Sequence, residues 1–247
     1  IVDSTDADSP VKVFRSEVGT DGAPNPHRFT ESFFVGGSSP EGVIQGQMLL
    51  RDSIYYYLEN AIYRFNPGVG DTSNLTKVKG NIGLMAPNSL VNTGNNHIFL
   101  SQRGVYSFDG TNVVHISEKV DTLFLDQSNR SQLKYAKGVY DFARNLYILY
   151  FPYGGSNRNN YAIAFDMRSL TWQPPITGRQ VSFISNYVDS NFKRSVIYGD
   201  YFGYLYKDNN GLNDGVEAGE NHTVAAATTN TITVTSATFD QTNDGLK

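Results

Sequence analysis

Short runs of alternating apolar and polar residues recur along the chain and predict β-strands joined by tight turns. The first clear pair, residues 53–58 and 61–65, flanks the two-residue turn Glu59-Asn60 and predicts a hairpin. Further hairpins are predicted at residues 97–101 with 105–108, 146–151 with 161–165, and 195–198 with 201–206. The pattern therefore predicts an all-β chain of antiparallel hairpins.

The hairpins recur at a fairly regular spacing. Alignment of Tyr63, Tyr106, Ile163 and Tyr204 gives steps of 43, 57 and 41 residues, and the long step contains a Gly- and Asn-rich insertion at residues 153–160. Units of about 40 to 50 residues with four short strands are typical of β-propeller blades. The spacing predicts a β-propeller-like fold, with a generic antiparallel sandwich as the alternative.

Other segments depart from this pattern. Residues 1–42 are loop-rich, with one short predicted strand at 11–14, whereas Val120, Leu123 and Phe124 predict a short helix within residues 119–136. Threonines alternate with Ile232 and Val234 near the C-terminal end and predict the first strand of a small β-domain. We therefore expect an N-terminal segment (1–42), propeller blades (43–212), and a linker with the start of a small β-domain (213–247). We also expect the chain to be part of a longer polypeptide.

Composition narrows the classes of function. Aromatic residues make up 13% of the 247 residues, charged residues make up only 18%, and the net charge is −4. This balance favours packed β-structure and argues against a surface that grips nucleic acid through dense Lys and Arg. The absence of cysteine excludes disulfides, thiolate zinc sites and cysteine nucleophiles.

Candidate catalytic groups do not form a recognisable constellation. His27, His97, His115 and His222 lack metal-ligand spacing, and we expect them at the surface or at strand edges. Five aspartates at strand ends or turns suggest either paired carboxylates of a glycosidase or caps of tight turns, and turn chemistry is favoured: Asp109, Asp166, Asp189, Asp200 and Asp208. No catalytic residue, cofactor or metal site is predicted.

Several segments together resemble one protein family. Residues 86–90, 97–101, 104–110 and 115–120, followed by 138–141, 145–147 and 164–172, are similar in order and spacing to the β-propeller region of tail hub and nozzle proteins of short-tailed, podovirus-like bacteriophages. Residues 231–246 also resemble a small β-domain of phage tail and connector proteins. The resemblance implies a non-enzymatic virion tail component, assembled in the host cytoplasm. It implies a ring of identical subunits around the DNA exit channel, onto which adaptor, fibre or needle proteins dock.

The insertion at residues 153–160 is the predicted contact with a neighbouring subunit, because long loops on such folds commonly carry binding. The expected contact residues are Tyr153, Asn157, Arg158, Asn159 and Asn160. A solvent-exposed loop without a partner is the alternative for this segment. For the whole chain, the alternatives are a secreted β-propeller that binds or cleaves glycans and, last, a depolymerising tailspike.

Overall fold

The computed structural model describes residues 2–3, 12–15, 31–36, 41–66, 74–208, 222–225 and 233–236, which are mostly antiparallel β-structure with few helices. The chain divides into two compact units, Ile1–Glu118 and Lys119–Lys247. The boundaries predicted near residues 42 and 212 stay predictions. None of the helices in the described part of the chain has the length and apolar character that crossing a membrane requires.

Unit 1 contains three antiparallel sheets in which the spatial order of the strands follows the chain. Sheet A consists of β1 (Val2–Asp3), β2 (Lys12–Arg15) and β3 (Glu31–Phe34). Sheet B consists of β4 (Ile44–Leu50), β5 (Ser53–Leu58), β6 (Ala61–Asn66) and β7 (Asn74–Gly80). After a 3₁₀ turn at Pro87–Ser89, sheet C consists of β8 (Val91–Asn92), β9 (His97–Ser101), β10 (Gly104–Phe108) and β11 (Val113–His115).

Unit 2 continues the same plan. The short helix predicted before the next sheet is confirmed as α1 (Asp121–Leu125). It is flanked by 3₁₀ turns at Glu118–Val120 and Leu133–Tyr135. Sheet D consists of β12 (Lys137–Asp141), β13 (Leu146–Phe151), β14 (Tyr161–Asp166) and β15 (Thr171–Trp172). Sheet E consists of β16 (Val181–Val188), β17 (Arg194–Asp200) and β18 (Leu205–Lys207), and sheet F pairs β19 (His222–Ala225) with β20 (Thr233–Ser236).

The central strand of sheet B, β5, is buried on both faces because it carries apolar residues at successive positions. Successive side chains of a strand point to opposite faces. Tyr55 and Tyr57 accordingly join a core with Phe99 and Phe108 of sheet C, whereas Tyr56 joins a second core with residues of sheet A. In unit 1, sheets A, B and C therefore stack face to face in chain order.

Sheets D and E stack in the same way within unit 2. Ile148 and Tyr150 of sheet D share a core with Val181, Val196 and Tyr198 of sheet E. β12 contacts β16, and Nδ2 of Asn186 donates to the carbonyl oxygen of Tyr140 at 3.1 Å between the two sheets.

Most of the predicted hairpins are confirmed, and the differences lie at their ends. The pairs β5–β6, β9–β10 and β13–β14 follow the predicted segments. The strand predicted from Tyr201 is wrong at its start, because residues 201–203 form a turn and β18 begins only at Leu205. Tyr204 therefore precedes the third strand of sheet E, whereas Tyr63, Tyr106 and Ile163 lie within theirs.

At the two ends of the chain the structure covers part of what was expected. The predicted strand at residues 11–14 corresponds to β2, with β1 and β3 beside it. The single strand expected at the C-terminal end is instead a pair, β19 and β20. The predicted loop at residues 21–26 lies outside the described residues.

Candidate functional site

The loop predicted to contact a neighbour joins β13 to β14 and is anchored at its base by Tyr153 and Asn160. The Tyr153 ring stacks on Tyr161 with ring centroids 4.3 Å apart, and its hydroxyl donates to Oε1 of Gln127 at 2.8 Å. The backbone N–H of Tyr153 donates to Oδ1 of Asn160 at 2.8 Å, which closes the loop. Both residues therefore hold the loop in shape.

Asn159 is buried within its own chain, and the predicted contact of its loop with another subunit stays a prediction. Its side chain is 1% exposed, and its Nδ2 donates to the carbonyl oxygens of Tyr135 at 3.0 Å and Val181 at 3.2 Å. The backbone N–H of Val181 donates in return to the carbonyl of Asn159 at 2.8 Å. An amide is the side chain that satisfies backbone groups at such a position, and a Gly/Asn-rich sequence does not reveal which Asn is turned inward.

Asn157 and Arg158 are exposed, as are the two glycines of the loop, Gly154 and Gly155. Asn157 accepts a hydrogen bond from Nδ2 of Asn129 at 3.2 Å. Arg158 donates from Nη1 to Oε1 of Gln180 at 3.0 Å, and its guanidinium lies 5.0 Å from the ring centre of Tyr201 and 5.5 Å from that of Phe202. Stacking on two rings restrains a side chain that would otherwise be mobile at the surface.

Exposed aromatic side chains lie on the segments that meet this loop, and two of them, Tyr201 and Phe202, contact Arg158. The exposed fractions are 72% for Phe202, 42% for Tyr204 and 38% for Tyr201, and Tyr135 is 52% exposed. The loop at residues 153–160, the segment 177–180, the turn 201–204 and Tyr135 are called the loop-end surface here. Tyr, Phe and Arg are the residue types enriched where proteins bind partners. The aromatic part of this surface was not predicted from the sequence, because residues 201–204 were assigned to a strand.

A cleft of about 410 Å³ opens within the loop-end surface. Its walls come from the loop base and the segment that leads into β16: Tyr153, Asn160, Tyr161, Thr177, Gly178, Arg179 and Gln180. Burial raises the pKa of Tyr161, so this ring is neutral at ordinary pH. This volume lies within the range of small-molecule sites.

Four of the five aspartates that the sequence predicted as turn caps do cap turns. Oδ1 of each accepts hydrogen bonds from two backbone N–H groups two to four residues further on. The capping residues are Asp109, Asp166, Asp189 and Asp200, with Asp141 as a fifth of the same kind. Backbone hydrogen bonds lower the pKa of Asp109 and of Asp166, as expected for carboxylates that accept from turns.

Asp208 has an ion-pairing role, and its prediction as a turn cap stays a prediction because the residues that follow it lie outside the described part of the chain. Its carboxylate lies between two guanidinium groups, with Nη1 of Arg179 at 2.6 Å from Oδ1 and Nη2 of Arg144 in contact with Oδ2. Arg144 also pairs with Asp141 through Nε at 2.6 Å. Two guanidinium groups and two carboxylates make this cluster electrically balanced.

His97 is also placed differently from the prediction of a surface or strand-edge residue. It lies in β9, a central strand of sheet C, with its side chain fully buried. Nδ1 is 2.7 Å from the hydroxyl of Tyr57 and Nε2 is 3.1 Å from the carbonyl oxygen of Leu49. Because burial lowers the pKa of His97, the ring is neutral, with Nε2 as donor and Nδ1 as acceptor. Among the described residues, no group of three or more His, Asp or Glu side chains has the arrangement of a metal site.

Comparison with known proteins adds little to this geometry. No protein-family model matches the chain, and no curated protein matches it in sequence. Among solved structures, the chain is similar to the dihydro-heme d1 dehydrogenase NirN in complex with DHE, with 11% identity and a TM-score of 0.44. The similarity covers 78% of this chain but only 36% of that one. Neither the identity nor the TM-score is high enough to relate their folds or their chemistry.

Proposed function

We propose that this chain is a non-enzymatic structural protein of a phage tail, in which β-propeller blades form part of a ring around the DNA exit channel. The proposal begins from the order and spacing of its sequence segments, which resemble those of podovirus-like tail hub and nozzle proteins. The observation that carries it is the face-to-face stacking of consecutive antiparallel sheets, A on B on C in unit 1 and D on E in unit 2.

Such stacking favours a scaffold over a catalyst. Sheets whose strands follow one another in space as in sequence, and whose two faces are both apolar, are the units from which propellers are built. The central strands β5, β9 and β13 carry buried residues at nearly every position, which suits a rigid body. The acidic balance of the chain suits the wall of a channel through which DNA passes without sticking.

The loop-end surface supports the docking part of the proposal. Its exposed Tyr201 and Phe202, which contact a restrained Arg158, have the composition of a protein-binding hot spot. We propose this surface as the contact with a neighbouring subunit or another tail protein, through Asn157 and Arg158 rather than the buried Asn159.

Native mass spectrometry with negative-stain electron microscopy tests the proposal. The expected result is a closed ring with a central channel, in which Arg158→Ala or Phe202→Ala lowers the fraction of assembled chains. A chain that stays monomeric at high concentration and hydrolyses a polysaccharide would instead favour the glycoside hydrolase alternative.

A further inference from the structure

The cleft in the loop-end surface combines aromatic and uncharged polar groups. Tyr153 and Tyr161 supply its aromatic wall, and the edge of Phe151 packs on Tyr161 with ring centroids 5.5 Å apart. Because Tyr153 is stacked on Tyr161 and its hydroxyl is bound to Gln127, the wall is fixed before any ligand arrives. A preformed aromatic wall lowers the entropy cost of binding.

The polar groups of the cleft are amides and a hydroxyl. Asn160, Gln180 and Thr177 line it together with Arg179. Oε1 of Gln180 already accepts from Arg158, so its amide nitrogen is the group oriented to donate. Amide and hydroxyl groups can donate to and accept from the hydroxyl groups of a ligand without requiring it to be charged.

The charge in the cleft is compensated. Arg179 lines it, but Nη1 of this residue is held at 2.6 Å from Oδ1 of Asp208. None of the lining residues is a carboxylate, so the cleft offers binding groups without the acid–base pair that glycoside cleavage uses. A neutral ligand with an apolar face and a rim of hydroxyl groups matches these walls.

We propose that the cleft binds a neutral saccharide, whose C–H face packs on the tyrosine wall and whose hydroxyl groups pair with Asn160, Thr177 and Gln180. This site does not require the proposed tail assembly, because it lies within unit 2, but it shares the loop-end surface with the proposed subunit contact and is joined to it by the Arg158–Gln180 hydrogen bond.

Saturation-transfer NMR and isothermal titration with maltotriose, cellotriose and chitotriose test the proposal on the full chain. At least one neutral trisaccharide is expected to bind saturably at millimolar concentration. Tyr153→Ala is expected to weaken that binding about tenfold or more, the equivalent of roughly 1.4 kcal/mol. Tyr204→Ala is the matched control, because this exposed tyrosine lies outside the cleft lining and its loss leaves binding unchanged.

Two further measurements keep the proposal falsifiable if Tyr153→Ala does not fold. Thr177→Val removes one hydroxyl from an exposed residue while keeping its shape, and it is expected to weaken binding without changing the melting temperature. Sialyllactose, an anionic trisaccharide, is the competing probe. The proposal is overturned if no neutral trisaccharide binds, if sialyllactose alone binds, or if binding persists at full strength in both cleft variants.

Discussion

The hydroxyl group of Tyr57 donates a hydrogen bond to Nδ1 of His97 across 2.7 Å and thereby joins β5 of sheet B to β9 of sheet C. Both side chains are fully buried, and the other ring nitrogen of His97 donates to the carbonyl of Leu49. A buried polar pair of this kind fixes the register of two apolar faces that would otherwise slide.

Tyr57→Phe is expected to destabilise the protein by about 1–2 kcal/mol, because it leaves a buried acceptor on His97 without its donor. Chemical denaturation measures this loss. Tyr56→Phe is the matched control: it alters the neighbouring tyrosine, which packs in the core shared with sheet A. Equal losses in the two variants would contradict the role assigned to the Tyr57–His97 bond.

Stability is expected to fall as the pH is lowered from about 7.5 to about 5.5, because His97 is neutral in the folded state. Burial lowers its folded pKa below the ordinary value of about 6.5, so the unfolded chain takes up a proton that the folded chain refuses. The loss begins as the pH falls through the unfolded pKa and reaches at most about 1.4 kcal/mol per pH unit for one proton. The measurement is the free energy of unfolding at several pH values.

His97→Gln is the control for this pH dependence, since its amide donates to Leu49 and accepts from Tyr57 without titrating. The free energy of unfolding of the variant is expected to depend less on pH than that of the wild-type chain over the same range. A pH dependence that survives in the variant would assign the effect to other groups.

Asp208→Asn is expected to destabilise unit 2 by about 2–3 kcal/mol, because it leaves Arg144 and Arg179 facing each other without the shared carboxylate. The expected loss is smaller than for a fully buried pair, since the Arg144 side chain is 31% exposed. Thermal or urea unfolding measures it. Asp126→Asn changes an exposed aspartate of the same unit and is expected to stay within about 0.5 kcal/mol of the wild type.

Phe192→Gly is expected to stabilise the turn between β16 and β17 by about 0.5–1 kcal/mol, because Phe192 has a φ of 60° and is 88% exposed. The glycine relieves a left-handed conformation and removes no buried surface. Phe183→Gly, within β16, is the control and is expected to destabilise, since a strand interior gains nothing from glycine. A loss of stability in Phe192→Gly would show that this ring makes contacts that matter.

The loop between β13 and β14 separates into a structural and a binding part. Asn159→Ala is expected to cost about 2 kcal/mol, because two buried carbonyl groups lose their donor. Asn157→Ala and Arg158→Ala are expected to weaken assembly, while the free energy of unfolding stays within about 0.5 kcal/mol of the wild type. Unfolding curves and native mass spectra, measured on the same samples, distinguish the two parts. Wild-type assembly in both surface variants would contradict the contact role.

Much of this fold follows from local sequence patterns. The hairpins and four of the five predicted caps follow from short-range rules, because they depend on neighbours in the chain. Examples are the alternation at residues 53–58, the turn Glu59-Asn60 and the aspartates at strand ends. The Leu123–Phe124 step predicted the short helix for the same reason.

The contacts that sequence reasoning did not anticipate join partners that lie far apart in sequence. Asp208 resembles the other turn aspartates, but Arg144 and Arg179 approach it from 64 and 29 residues away and convert it into an ion-pair centre. Asn159 and Asn157 are alike as sequence, yet only one is turned toward the carbonyl groups of Tyr135 and Val181. No local rule distinguishes these cases, because burial is a property of what packs on top.

The sequence by itself was sufficient for the all-β class, the hairpin spacing and the absence of cysteine chemistry, since these depend on composition and on contacts between adjacent residues. Tertiary structure was required to show that His97 is a buried neutral ring, that Tyr201 and Phe202 contact Arg158, and that two tyrosines from the base of one loop form a cleft with residues 177–180. Those relationships arise only when sheets stack, because stacking determines which side chains lose water and which remain at the surface.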